Sequence, residues 1–116
     1  MPALPSLGLA LLGSCNFAAH LAAIRTTGDL RLVGCWGAPP AVPSCCAIFT
    51  DPSQVLTHPE VCGVVVCTPL HEREHWIRQA VNAGLHVLCT SPPATNYRRM
   101  KQLADDCRSA GVQTCL

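Results

Sequence analysis

Residues 61–69 read Val-Cys-Gly-Val-Val-Val-Cys-Thr-Pro, and residues 83–92 read Ala-Gly-Leu-His-Val-Leu-Cys-Thr-Ser-Pro. Each stretch contains a short apolar run, at 61–67 and 86–89, which is typical of a strand buried on both faces of a parallel sheet. Between the two runs, residues 71–83 carry apolar side chains at helical spacing. Gly84 then suits the position just after a helix. These residues therefore predict a strand, a helix and a second strand in succession.

The same alternation extends along the rest of the chain. Further strands are predicted at 7–12, 30–36, 47–49 and 112–116. Further helices are predicted at 17–26 behind Asn16, from Pro52 behind Asp51, and at 97–110. Three prolines within residues 37–44 exclude an ordinary helix there and predict an irregular crossover. The alternation predicts a single α/β domain over residues 1–116, a Rossmann-like doubly wound parallel sheet with helices on both faces.

Composition excludes several classes of protein. A net charge of +1 and 4% aromatic residues exclude a basic or base-stacking surface for nucleic acid. No apolar run reaches the roughly 20 residues that span a bilayer. The apolar run at 4–12 has no Lys or Arg before it, so a strand is favoured over a secretory signal.

With only 13% charged and 49% hydrophobic residues, we expect an apolar surface that meets a partner protein, a second copy or further chain.

The nine cysteines contain no Cys-x-x-Cys pair. Most of them lie in or beside apolar runs, so we expect buried, reduced thiols and a cytoplasmic location. His71 and His75 have the spacing of one helical face, but no acidic ligand accompanies them and no metal site is predicted.

The motifs at three predicted strand ends resemble those of one enzyme family. Residues 13–18 read Gly-Ser-Cys-Asn-Phe-Ala, similar to the G-x-G-x-x-A turn that places a pyrophosphate at a helix amino terminus. Thr68-Pro69 and the stretch 83–92 are similar to C-T-P and A-G-K-H-V-L-x-E-K-P. Over residues 7–115 the chain thus resembles the N-terminal domain of the Gfo/Idh/MocA family, relatives of glucose–fructose oxidoreductase and inositol dehydrogenase.

The resemblance implies NAD or NADP as cofactor and hydride transfer at a CH–OH group of a sugar or polyol. It also implies a separate substrate domain, which this chain lacks. Catalytic residues are not assigned. The dinucleotide-binding residues that the resemblance implies are Gly13, Cys15, Asn16, Phe17, Ala18, Trp36, Thr68, Pro69, His71, Thr90, Ser91 and Pro92.

Some family positions hold other residues here. Cys15 replaces the second glycine, and Cys35-Trp36-Gly37 replaces the segment that carries an Asp for the adenosine ribose. Arg73 replaces a His, and Ser91 replaces the Lys of E-K-P. We therefore expect weak or absent dinucleotide binding and impaired catalysis. The alternatives are a non-catalytic interaction domain and a fragment of a longer enzyme.

Overall fold

The computed structural model describes residues 7–15, 17–37, 47–89 and 93–115, in which strands and helices alternate. In chain order the elements are β1 (Leu7–Leu12), α1 (Phe17–Thr26), β2 (Leu30–Trp36), β3 (Ala47–Ile48), α2 (Pro52–Leu56), β4 (Gly63–Val66), α3 (Leu70–Asn82), β5 (His86–Cys89), α4 (Tyr97–Ser109) and β6 (Thr114–Cys115).

The strands form one parallel sheet in the order β3-β2-β1-β4-β5-β6. From β1 the chain adds β2 and then β3 on one side of the sheet. β4 lies on the other side of β1, and from it the chain adds β5 and then β6. The strand order therefore reverses between β1 and β4, as in dinucleotide-binding doubly wound folds. The predicted fold class is confirmed.

Two apolar cores lie on opposite faces of the sheet. On one face, Val64 and Val66 of β4 pack with Val55 of α2, Ile77 of α3 and Leu103 of α4. On the other face, a smaller core joins Leu11, Cys35 and Val65 to Ile24 of α1. Helices thus cover both faces, with three on one and one on the other.

Local signals fix the ends of the helices. Asp51 and Gln54 form a reciprocal capping box at the start of α2, and the Asn96 side chain accepts from the Arg99 amide at the start of α4. Gly84 and Gly111 take positive φ values of 80° and 76° just beyond α3 and α4. Glycine stops the helices there because it adopts this conformation without steric cost.

Ion pairs tie α3 to α4. Arg78 donates to Asp106 at 2.7 Å, and the Glu74 carboxylate accepts from both Arg78 and Arg99. Because these side chains are partly solvated, the pairs contribute little free energy each and mainly set how the two helices lie together.

The face opposite α3 and α4 remains apolar and open beside β5. An open groove of about 300 Å³ runs there, with Leu9, Val65, Leu88 and Cys115 among its lining residues. Leu88 is 44% exposed in this groove. None of the helices in the described ranges is long and apolar enough to cross a membrane.

The elements match their predicted positions within a few residues. The predicted strands 61–67 and 112–116 shorten to Gly63–Val66 and Thr114–Cys115. Cys115 is exposed and Cys62 half-buried, so the expectation of buried thiols is wrong for these two. The predicted crossover at 37–46 and the Asn16 cap lie outside the described residues, apart from Gly37.

Leu103 should be far more important to stability than Leu88. Leu103 is fully buried between α4 and the sheet, so Leu103→Ala should lower the free energy of unfolding by about 2–5 kcal/mol. Leu88→Ala, in the open groove, should cost less than about 1 kcal/mol. Urea unfolding of both variants checks this, and equal losses would show that Leu88 is covered in solution.

Candidate functional site

The carboxyl ends of β1, β2 and β4 meet where the strand order reverses. In open parallel sheets this edge is where ligands bind. The turn 13–15 after β1 lies here between Trp36-Gly37 after β2 and residues 67–69 after β4.

Backbone hydrogen bonds hold the turn to both neighbouring strands. The Gly13 amide donates to the Trp36 carbonyl at 2.8 Å, and the Cys15 amide donates to the Cys67 carbonyl at 2.9 Å. Gly13 has φ 102°, and a Cβ on it would lie 2.6 Å from the Cys67 carbonyl oxygen. Only glycine fits this position, since any side chain would collide with the backbone of the adjacent strand segment.

The amino end of α1 faces the same edge. Its first-turn amides have no partner within the helix, as in every helix, and this turn contains no acidic residue. The partial positive charge of the helix terminus is therefore not neutralised by its own side chains, which suits an anionic group such as a pyrophosphate.

Thr68 marks the far side of the crevice, after β4. The residue is 2% exposed, and its Oγ1 atom is shielded from solvent and has no hydrogen-bond partner within the described ranges. Arg73, one turn into α3, donates from Nε to the Thr68 carbonyl at 2.9 Å. Arg73 thus fixes the backbone around this buried hydroxyl.

Buried thiols form part of the crevice floor. Burial, with a smaller contribution from the nearby Cys15 thiol, raises the pKa of the Cys67 thiol to about 12. Burial likewise raises the pKa of the Cys89 thiol to about 11, although Arg73 opposes the shift. Both thiols are therefore neutral near pH 7 and serve as packing groups, not as nucleophiles.

The aromatic residue at the end of β2 turns towards α3. The Trp36 and Trp76 rings lie 4.9 Å apart, and the His75 ring lies 4.7 Å from that of Trp76. Trp36 packs against the larger core together with Phe49. The backbone of Gly37, at φ 73°, is what approaches the β1 turn.

The structure brings together most of the described residues that the sequence nominated. Gly13, Cys15 and the start of α1 with Phe17 and Ala18 lie at one strand end, Trp36 at the next, and Thr68 and Pro69 across the crevice. His71 is exposed on the first turn of α3. The nominated residues outside the described ranges are Asn16, Thr90, Ser91 and Pro92.

The described residues fit a dinucleotide. Gly13 lets the β1 turn lie close to β4, the first-turn amides of α1 have no partner within the helix, and the Thr68 hydroxyl has no hydrogen-bond partner among the described residues. No group of three or more His, Cys, Asp or Glu side chains suited to a metal ion occurs in the part of the chain that the structure describes.

Sheet order, helix placement and crevice together define a nucleotide-binding domain of the Rossmann type. The model of the GFO_IDH_MocA oxidoreductase family, NAD-binding Rossmann fold, matches residues 8–116. The chain therefore belongs to this oxidoreductase family and comprises its NAD-binding fold.

Solved structures share the fold at low sequence identity. An NAD-binding protein from Listeria innocua matches with a TM-score of 0.86 at 19% identity, over 96% of this chain and 34% of that one. D-galactose-1-dehydrogenase from Rhizobium etli matches with a TM-score of 0.83 at 21% identity, over 98% of this chain and 38% of that one.

A curated relative is more similar over a shorter stretch. An uncharacterized oxidoreductase of Rhizobium meliloti, ORF334, is 38% identical over 55 residues, which are 47% of this chain and 16% of the relative. The chain thus spans little more than a third of the two solved structures, and the match covers a smaller share of this relative.

Sequence reasoning missed Trp76 as part of the site, and it placed Gly37 in the segment that replaces the family's Asp without predicting its contact with the β1 turn. Trp76 has the spacing of a core residue on α3, and nothing local indicates its contact with Trp36. The Gly-Ala-Pro-Pro run after β2 was a usable signal for Gly37, since glycine there permits the positive φ that the structure shows.

Gly13→Ala should destabilise the domain more than Gly84→Ala or Gly28→Ala. Backbone strain and the clash with Cys67 should together lower the free energy of unfolding by about 3 kcal/mol or more. Gly84→Ala, with positive φ but open space around it, should cost about 1–2 kcal/mol. Urea unfolding measures both, and Gly28→Ala, in open space without positive φ, is the control.

A Gly13→Ala protein as stable as the Gly28→Ala protein would contradict the close approach of the turn to β4. Loss of cooperative unfolding in Gly13→Ala alone would agree with it.

Proposed function

We propose that the chain binds a nicotinamide dinucleotide across the carboxyl ends of β1 and β4, for hydride transfer at a CH–OH group of a sugar or polyol. The observation that carries the proposal is the meeting of the Gly13 turn, the amino end of α1 and the unpaired Thr68 hydroxyl at the reversal point. The name of the Rhizobium etli neighbour, D-galactose-1-dehydrogenase, supports the sugar assignment.

Backbone groups carry most of the proposed cofactor contacts. The first-turn amides of α1 bond the pyrophosphate, because the Gly13 and Cys15 amides already donate to protein carbonyls. Cys15, half-buried beside this turn, narrows the approach of the phosphates.

The nicotinamide side of the proposed site lies across the turn. Thr68, Pro69 and His71 border it, and the segment 90–92 completes it as the family resemblance implies. The nicotinamide supplies the hydride chemistry when bound, while the protein residues orient it.

This chain is poorly equipped to handle the hydroxyl proton of a substrate. The family lysine of the E-K-P turn is Ser91 here, and the chain's single lysine is Lys101 on α4. A neutral serine cannot act as an ammonium acid, and general acid–base help is typically a factor of about 10²–10⁴. The cysteines of the described ranges are free thiols, which supports a reducing, cytoplasmic setting for the protein.

Dinucleotide binding should be weak and should tighten in Cys15→Gly. Loss of one charge-assisted bond to the ribose weakens affinity by about tenfold to a hundredfold, and Cys15 crowds the phosphates as well. Calorimetry with NADH should give a dissociation constant well above the low-micromolar range for the native chain, and a lower one for Cys15→Gly.

Cys115→Ser is the matched control, because Cys115 is an exposed thiol on β6 and should not alter affinity. Low-micromolar or tighter binding by the native chain would refute the argument about Cys15 and the ribose.

The isolated chain should not turn over sugars or polyols. Ser91 stands where the family has its proton-handling lysine, and the family resemblance implies that the walls that position a substrate belong to a separate domain; both features act on the same step. Absorbance at the nicotinamide band, with a panel of sugars, polyols and ketones, should show no saturable turnover. Ser91→Lys alone should not restore it, and clear turnover by the native chain would overturn the proposal.

The apolar groove beside β5 favours a second candidate, a non-catalytic domain that binds a partner protein or a second copy. Leu88 and Cys115 are exposed there, and large exposed apolar surfaces commonly mark contact sites. Thermal unfolding with and without NADH separates the two candidates. A cofactor domain should be protected from heat by the nucleotide, whereas an interaction module should not.

A further inference from the structure

We propose that the thiols of Cys15 and Cys67 form a reversible disulfide at the floor of the crevice, and that this cross-link opens the approach to the amino end of α1. The oxidant is a small disulfide of the glutathione class. The cross-link itself does not depend on a cofactor, whereas its effect on ligand binding rests on the proposed dinucleotide site.

The two cysteines lie on neighbouring backbone segments. The Cys15 amide donates to the Cys67 carbonyl at 2.9 Å. Because an amide nitrogen lies about 1.5 Å from its own Cα and a carbonyl oxygen about 2.4 Å from its own, this bond keeps the two Cα atoms within about 6.8 Å of each other. The Cα atoms of disulfide-bonded cysteines are usually about 4.4–6.8 Å apart. The backbone therefore holds the pair no farther apart than a disulfide spans.

The Cys67 thiol lies next to the turn that carries Cys15. Its Sγ donates to the Gly13 carbonyl at 3.5 Å, and Cys67 is fully buried. Cys15 is half-buried at the end of this turn. Burial is the main reason that the pKa of the Cys67 thiol rises to about 12, and Cys15 makes the next largest contribution, ahead of the other cysteines. Cys15 is therefore the cysteine whose charge acts most strongly on Cys67.

Two thiol–disulfide exchanges close the cross-link. In the first, the Cys15 thiolate attacks one sulfur of glutathione disulfide, the glutathione S–S bond breaks, and one glutathione leaves. In the second, the Cys67 thiolate attacks the Cys15 Sγ, the mixed disulfide breaks, and the second glutathione leaves. The two protein thiols are thereby oxidised by two electrons in all, glutathione disulfide is reduced to two glutathione molecules, and the two thiol protons end on these molecules.

The second exchange is the slow one, because Cys67 must ionise inside the core. Burial outweighs the opposing charge of Arg73, so the pKa of Cys67 stays at about 12. About one Cys67 thiol in 10⁵ is then ionised at pH 7, and about one in 10³ at pH 9. Attack within the same molecule offsets part of this deficit. An incubation at pH 9 therefore suits the test.

Closing the disulfide moves the Cys15 sulfur away from the proposed path of the phosphates. The two sulfur atoms of a disulfide are only about 2.05 Å apart, and Cys67 is fully buried, so the bonded Cys15 sulfur lies against the crevice floor. The oxidised chain should then behave like Cys15→Gly, which also has no side chain projecting from the turn.

Mass spectrometry of tryptic peptides tests the cross-link directly. The reduced chain is incubated with glutathione disulfide at pH 9, and the remaining thiols are blocked before digestion. Peptide 1–25, whose single cysteine is Cys15, should be found joined to peptide 32–73, and a reductant should separate the two.

Two variants identify the partner of Cys15, because peptide 32–73 contains further cysteines. Cys67→Ala should abolish the cross-link and leave glutathione attached to Cys15. Cys62→Ala is the matched control, since it removes a half-buried thiol from the same peptide, and it should retain the cross-link. Far-ultraviolet circular dichroism checks that both variants keep the fold.

Calorimetry with NADH tests the effect on binding. The oxidised native chain and the oxidised Cys62→Ala chain should each bind NADH at least about threefold more tightly than their reduced forms, and a reductant should reverse the change. The Cys67→Ala chain with glutathione on Cys15 should bind at least about tenfold more weakly than its reduced form, because the bulky anionic adduct stands in the path of the phosphates.

The outcomes separate this inference from the proposed function. The inference is overturned if the peptides stay separate in the native chain, if they remain joined in Cys67→Ala, or if the cross-link forms and the affinity for NADH stays the same or falls. If the reduced, oxidised and Cys15→Gly chains all fail to bind NADH, the proposed function fails together with the effect on binding, while the joined peptides still establish the cross-link.

Discussion

The close approach of the β1 turn to the strands on either side is the constraint on which the site depends. A Cβ at Gly13 would lie 2.6 Å from the Cys67 carbonyl oxygen, closer than real side-chain carbons come. Because Gly13 has no side chain, its amide reaches the Trp36 carbonyl while the Cys15 amide reaches the Cys67 carbonyl. These bonds place the start of α1 directly over the point of strand reversal.

The edge of the sheet at which α1 begins differs from the outer surface of α3 and α4 in its ionisable side chains. The edge of the sheet carries neutral thiols, because burial holds the pKa of Cys67 at about 12, far above the pH at which the thiolate would form. The ion pairs of α3 and α4, such as Arg78 with Asp106, lie on the outer surface of the helical layer. An anion at the crevice would therefore depend on backbone amides and the terminus of α1 more than on side-chain charge.

Much of the fold could be predicted from the sequence, because burial on both faces leaves uninterrupted apolar runs such as Val64-Val65-Val66. The positions of Gly13, Thr68 and the start of α1 followed from the same alternation. The contact between Trp36 and Trp76 could not be predicted, since the two residues lie far apart in the sequence, at the end of β2 and on α3. Nor could the approach of Gly37 to Gly13, which depends on how two strands lie together. The nominated contacts at Asn16 and residues 90–92 stay predictions.

The residues that the fold requires are different from the positions at which this chain departs from the family pattern. The fold requires apolar strands, helix stops and a glycine at residue 13, and the chain keeps all of these. The family resemblance implies an acid after β2 and a lysine in the segment 90–92 for charge recognition, and at these positions the chain has Gly37 and Ser91. Substitution at either position leaves the buried contacts of Gly13 and Val66 in place, because none of those contacts involves a charged group. The fold and the charged contacts that the family resemblance implies thus depend on different residues, so the fold can persist when those charged residues are replaced.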